Sequence, residues 1–228
     1  PNLYDCWWGF GNMPNVDELN PSYLEYIISG KNSIVKRWIR AGASGWRLDV
    51  ADELPDEFIK LLKQSIREEK SDTVLIGEVW EDASNKMSYS KKREYLFGYE
   101  LDSITNYPLR QLIIEYSKKQ ISSEYFIKRY KSLLENYPRE NFFSTMNMLG
   151  THDTERILTI LEGKIEQLKI AVLLQMTLPG VPLIYYGDEA GVKGGKDPDN
   201  RKPYPWGKEN IEVINIYKNL CSLRANEN

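Results

Sequence analysis

Three acidic side chains each follow a short apolar run, at Asp49, Glu78 and Asp153. Asp49 closes Gly45-Trp46-Arg47-Leu48-Asp49, Glu78 follows the run 73–77, and His152-Asp153 follows the stretch 143–149. One acid at the end of a strand is explained by a cap or an ion pair. Three in succession point to a shared rim, because parallel strands present their carboxyl ends, and the ligands bound there, on one side. Neighbouring strands lie about 4.7–4.9 Å apart. That spacing suits a carboxyl pair roughly 5–5.5 Å apart, which cleaves a glycosidic bond with retention. One member is ionised and attacks the anomeric carbon; the other is protonated and donates to the leaving oxygen. Arg47 lies two residues before Asp49, so both side chains point to the same face of a strand. A guanidinium placed there holds Asp49 ionised and oriented.

The elements that must carry these groups alternate in type. Apolar residues at helical spacing predict helices over 33–40, 55–70, 109–118, 123–137, 165–178 and 211–223. Gly42 is placed to close the first of them, and Pro55 to open the second. Strands are predicted over 45–50, 73–77, 99–103, 143–149 and 182–186. Their continuous apolar runs suit strands buried on both faces of a parallel sheet. The opening segment, to about residue 29, reads as a long loop with a short helix near 23–28, and 81–94 reads as a charged loop. Strand and helix in alternation imply a parallel sheet with right-handed crossovers and one domain over 1–228, with no linker.

Bulk composition narrows the function classes. The 228 residues carry a formal net charge of −3, with Lys and Arg scattered among Asp and Glu. No basic stripe suggests a nucleic acid or an anionic membrane as partner. No apolar run is long enough to span a bilayer. Cys6 and Cys221 sit far apart without neighbouring histidines, so neither a metal site nor a disulfide framework is expected, and a reducing, cytoplasmic setting is. Trp7, Trp8 and Trp206 are read as packing residues, and Asp102 and Asn106 as structural ones.

The motifs then resemble a known family. Gly45-Trp-Arg-Leu-Asp-Val resembles the nucleophile strand of the α-amylase superfamily, Ile76-Gly-Glu-Val-Trp its acid strand, and Gly150-Thr-His-Asp-Thr-Glu-Arg its third-carboxylate motif. Met13-Pro-Asn-Val-Asp-Glu-Leu-Asn-Pro resembles a loop of the neopullulanase and cyclomaltodextrinase branch, and the segments 180–192 and 197–206 resemble its last barrel strand and the loop after it. The resemblance implies part of a (β/α)8 TIM barrel, roughly strands four to eight, with the first three strands absent from this chain. It implies Asp49 as nucleophile, Glu78 as general acid/base and Asp153 as the grip on the distorted sugar's hydroxyls. Arg47 and His152 become substrate contacts, Trp80 a stacking surface on the leaving-group side, Glu53 an acceptor-side contact, and Asp197 with Arg201 a non-reducing-side pair. The implied substrate is an α-1,4-linked glucan: a maltooligosaccharide, a cyclodextrin or a relative. No cofactor is implied with certainty, although the family admits calcium in a full-length protein.

The residues leave two alternatives open: an α-glucan transglycosylase with the same covalent intermediate, and a non-catalytic carbohydrate-binding or transport-associated relative. Two departures from the family stand out. Its first motif has no counterpart, and Asp52 stands where the branch usually has Asn. A sheet without its first strands would expose unpaired edges, so the isolated chain is expected to be inactive or to self-associate through them.

Overall fold

In a computed structural model, residues 4–97 and 100–226 are described. Five strands run parallel in chain order. β1 (Gly45–Leu48) pairs with β2 (Val74–Gly77), and β2 with a third strand, Ser103–Ile104. A bridge from Thr105 to Met146 joins this sheet to the pair Met146–Met148 and Val181–Leu183. Between the second and third of these strands, Met87–Ser88 and Lys91–Lys92 form a small antiparallel hairpin inside the loop expected over 81–94. In chain order the strands are therefore β1, β2, β3 and β4 (the hairpin), β5 (Ser103–Ile104), β6 (Met146–Met148) and β7 (Val181–Leu183).

Nine α-helices link or flank these strands among the described residues. α1 (Pro21–Leu24) continues into a wider π-turn, and α2 (Ile34–Arg40) ends at Gly42, whose φ of 113° no side chain would tolerate well. α3 (Asp56–Glu69) buries Phe58, Ile59, Leu62 and Ile66 along one face. α4 (Tyr107–Ser117) begins where the Asn106 side chain accepts the Leu109 N–H at 3.2 Å, with Pro108 in the first turn. α5 (Ser123–Asn136) is capped by Ser122 in the same way. α6 (Arg139–Ser144) and α7 (Ile157–Ile160) are short. α8 (Ile165–Thr177) and α9 (Ile211–Asn226) pack on each other after the last two strand-to-helix crossovers. The core joins Leu75, Ile104, Leu109, Ile113, Leu168, Ala171 and Val172 between strands and helices.

The strands are shorter than their sequence predicts. β1 stops at Leu48 because Val50 takes a left-handed conformation (φ 41°, ψ 60°). β6 starts only at Met146, since Pro138 opens a helical turn that carries Phe142 into the core and Phe143 with it out of the sheet. Tyr99, the first residue of one predicted strand, lies outside the described residues. Among the described residues β1 pairs only with β2, and β7 only with β6. No helix among them is long and apolar enough to cross a membrane.

Candidate active site

The register of β1 on β2 sets Leu48 opposite Gly77, so Asp49 and Glu78 follow side by side. The Glu78 N–H donates to the Leu48 carbonyl at 2.9 Å, and the Ala51 N–H to the Glu78 carbonyl at 3.1 Å, extending the pairing past the strand ends. Gly45 permits this closeness: a Cβ there would collide with the Val74 carbonyl. Arg47 bridges the two acids. One of its terminal nitrogens contacts Asp49 Oδ1, and the other meets Glu78 Oε1 at 2.8 Å. Their environments differ sharply, with the Asp49 side chain 70% exposed and that of Glu78 2%. The strained turn at Val50, a β-branched residue at positive φ, aims its N–H at Glu78 Oε2, 3.0 Å away.

A third acid, Asp153, joins through Tyr107. Its hydroxyl donates to Glu78 Oε1 at 3.4 Å and lies 3.5 Å from Thr151 Oγ1, which accepts the Asp153 N–H at 3.2 Å. Burial, reinforced by the Glu78 charge, pushes the Tyr107 phenol up to about 12, so it remains a donor at neutral pH. Trp80 stacks on the Tyr107 ring at 3.9 Å and 11°, and leaves its other face half exposed. Asp153 is contacted by His152 Nε2 at 3.0 Å and by Arg201 at 3.5 Å, while Arg201 Nε meets Asp197 at 2.8 Å. The structure thus collects Arg47, Asp49, Glu78, Trp80, His152, Asp153, Asp197 and Arg201 in two clusters linked by Tyr107.

Glu53 stands apart from both clusters. Its oxygens take the Trp8 indole N–H at 3.1 Å and the Tyr89 hydroxyl. Glu53 and Tyr89 line an open cleft of about 830 Å³ that reaches Asp49. Asp52, the departure from the branch pattern, is matched by Lys86 at 2.9 Å and by the Tyr95 hydroxyl at 2.6 Å, so its charge has a built counterpart. Trp8 and Trp206, read as packing residues, are 65% and 82% exposed. An isolated Trp in a loop gives no periodicity from which burial could be judged. Asp102 and Asn106 are structural: the first takes Lys63, Arg67 and the Leu75 N–H, the second caps α4. Sequence reading does not single out Tyr107, because its hydrogen-bond partner, Glu78, is remote in sequence. Among the described residues no group of three His, Cys, Asp or Glu side chains is placed to hold a metal ion.

Comparison with known proteins gives the family. A family model described as alpha amylase, catalytic domain, matches residues 8–219. An amylopullulanase of Thermoanaerobacterium thermosulfurigenes is 36% identical over 98% of this chain, which spans 14% of that protein. A cyclomaltodextrinase of Geobacillus thermopakistaniensis is 35% identical over 98% of this chain, which spans 36% of it. Among solved structures, a cyclomaltodextrinase superposes with a TM-score of 0.87 at 33% identity, covering 97% of this chain and 36% of its own. The cyclic alpha-maltosyl-(1→6)-maltose hydrolase from Arthrobacter globiformis, in complex with maltose, gives a TM-score of 0.87 at 27% identity, covering 98% of this chain and 49% of its own. The chain therefore spans well under two thirds of the length of these relatives.

Proposed function

The chain belongs to the alpha-amylase catalytic-domain family, and from that premise we propose that it carries the catalytic half of a retaining glycoside hydrolase acting on α-1,4-glucosidic bonds. We read its five long-range parallel strands as strands four to eight of a (β/α)8 barrel, within one domain that residues 1–228 share with strands outside this chain. The observation that carries the proposal is the Arg47 bridge between Asp49 and Glu78 at the ends of paired strands. One guanidinium spanning both acids favours the short separation of retaining pairs over the roughly 6.5–9.5 Å of inverting ones.

In this reading an Asp49 oxygen attacks the anomeric carbon while Glu78 gives its proton to the departing glycosidic oxygen. The C–O bond breaks and a glucosyl ester forms on Asp49. Water then enters; Glu78 takes its proton, and the hydroxide oxygen displaces Asp49 from the same carbon. The exposed Asp49 suits the nucleophile, which must meet the anomeric carbon directly. Asp153 and His152 hold hydroxyls of the distorted sugar, Trp80 offers its free face to the leaving side, and Asp197 with Arg201 bounds the non-reducing side. Maltooligosaccharides and cyclodextrins are the substrates proposed, by analogy with the relatives' names. The unpaired sides of β1 and β7 support association of the isolated chain through those edges.

The test is hydrolysis of maltotriose and β-cyclodextrin by the full-length gene product, with Asp49→Asn and Glu78→Gln beside it. Both variants should lose turnover by about three orders of magnitude or more while keeping their fold. Full activity in either one overturns the assignment.

A further inference from the structure

The turn that carries His152 and Asp153 has few apolar anchors of its own. Both side chains are partly exposed, at 44% and 33%, and the neighbouring hydrogen bonds of Thr151 and Thr154 run within the turn. The buried side chain that reaches its backbone from outside is Asn200, a residue with no solvent exposure, in the middle of the loop that also bears Asp197 and Arg201. Its Nδ2 donates to the His152 carbonyl at 2.6 Å and to the Thr154 carbonyl at 2.9 Å. The amide cannot be reversed, since its oxygen would then face two carbonyl oxygens. Asn200 is itself fixed from below. Arg156, also fully buried, donates from Nε to the Asn200 carbonyl at 2.7 Å, lies over the rings of Tyr185 and Tyr186, and pairs with Asp188 at 3.1 Å. The Arg156 N–H also donates to the Gly194 carbonyl at 3.0 Å, and a side chain at 194 would meet the Asn200 backbone at 2.9 Å.

We propose that Asn200 is the positioning residue for the His152–Asp153 pair, a buried latch that fixes this turn relative to Arg201 and Asp197. The latch extends the reading of His152 and Asp153 as sugar-facing groups and depends on it for its relevance to turnover, but its geometry can be tested without turnover. Arg201 Nε reaches the same His152 carbonyl at 3.2 Å, so one backbone oxygen gathers both halves of this side of the site. If Asn200 lets go, the imidazole, the Asp153 carboxylate and the Arg201 guanidinium lose their common reference point together.

The measurement is NMR of the full-length protein with labelled histidine and labelled amides, the His152 signal being assigned by its loss in His152→Gln. Asn200→Asp keeps the shape and removes both donors. Asn200→Ser keeps a hydroxyl donor and adds no charge. Gln175→Met is the control: Gln175 Nε2 likewise donates two hydrogen bonds, to the Asn147 and Leu183 carbonyls at 3.0 and 2.8 Å, away from the turn. Both Asn200 variants should move or split the His152 signal and speed amide exchange at Thr154 and Arg156 by about tenfold, about 1.4 kcal/mol of lost protection. Gln175→Met should lower thermal stability and leave the His152 signal in place. An unmoved His152 signal in folded Asn200 variants overturns the proposal. So does rapid exchange of the Asn200 side-chain amide protons in the unmodified chain, which needs no variant at all. Adding maltotriose to the unmodified full-length protein separates the two claims: a His152 signal indifferent to it counts against the sugar-facing reading and leaves the latch to be judged by the variants.

Discussion

Replacing Arg156 with Met removes the charge from the bottom of this scaffold while keeping much of its volume. The guanidinium has no solvent exposure, meets Asp188 at 3.1 Å, and donates to the Tyr186 and Asn200 carbonyls. Breaking a buried ion pair from one side costs about 3–5 kcal/mol. Carbonyls left without donors add roughly 1 kcal/mol each. The sum would consume much of an ordinary domain's stability of about 5–15 kcal/mol. Asp188 limits the damage by taking up a proton. Burial already pushes its carboxyl up to about 7, against the opposing pull of Arg156, and without Arg156 it must rise further. An acid that binds its proton more tightly folded than unfolded, where its pKa is about 3.9, makes stability fall as pH rises between those two values. The slope is about 1.4 kcal/mol per pH unit. In the unmodified chain this decline ends near pH 7, whereas in Arg156→Met it continues above it. The cost of the substitution should therefore be larger at about pH 8 than at about pH 5.5, by about 1.4 kcal/mol for one further unit. Urea unfolding followed by circular dichroism at both values measures the difference. A cost below about 1 kcal/mol, or one that is equal at the two pH values, refutes the reasoning.

Three further outcomes are expected. Gly45→Ala drives a methyl group into the Val74 carbonyl and should destabilise the chain by about 1–3 kcal/mol or more; an unchanged melting temperature would contradict the close β1–β2 pairing. Trp80→Ala removes a ring stacked on Tyr107. In the full-length protein it should raise KM for maltotriose by a factor matching about 0.5–1.5 kcal/mol of lost stacking, and leave kcat nearly intact; a lost kcat with constant KM would move Trp80 from binding to chemistry. The hydrogen bond to Glu53, more than its partial burial, holds the Tyr89 phenol above its ordinary range. Glu53→Gln should bring that titration back toward about 10, read as the difference from a Tyr89→Phe spectrum, and no movement would mean that the two side chains are not engaged in solution.

The strand-borne half of the site was legible because local sequence determines it. An apolar run, an arginine and an acid two residues later fix face and order, and the β1–β2 register turns that order into proximity. Helix faces were legible for the same reason, as along Phe58, Ile59, Leu62 and Ile66. What sequence could not supply were contacts between remote loops. Tyr107, Asn200, and the sharing of Glu53 between Trp8 and Tyr89 each join residues at least 29 positions apart through single polar atoms. Such contacts leave no periodic trace. Strand ends were misplaced where one backbone angle decided them, as at Val50.

The two halves of the site are consequently held by different physics, and they should fail differently. Asp49 and Glu78 inherit their positions from backbone pairing, which is shared over a whole ladder and tolerates changes of side chain away from Gly45. The one side chain that matters between them, Arg47, orients rather than places them. His152 and Asp153 depend instead on a serial arrangement of buried polar contacts, from Asp188 to Arg156 to Asn200 to the turn, which Arg201 supplements only at the His152 carbonyl. Losing a link loosens the end of the series, so substitutions deep beneath Tyr185 and Tyr186 should affect the groups proposed to hold sugar, which they never touch. Substitution in the full-length protein should therefore yield two populations: variants at Gly45 that lose fold and turnover together, and variants at Asn200 that lose sugar affinity out of proportion to their stability.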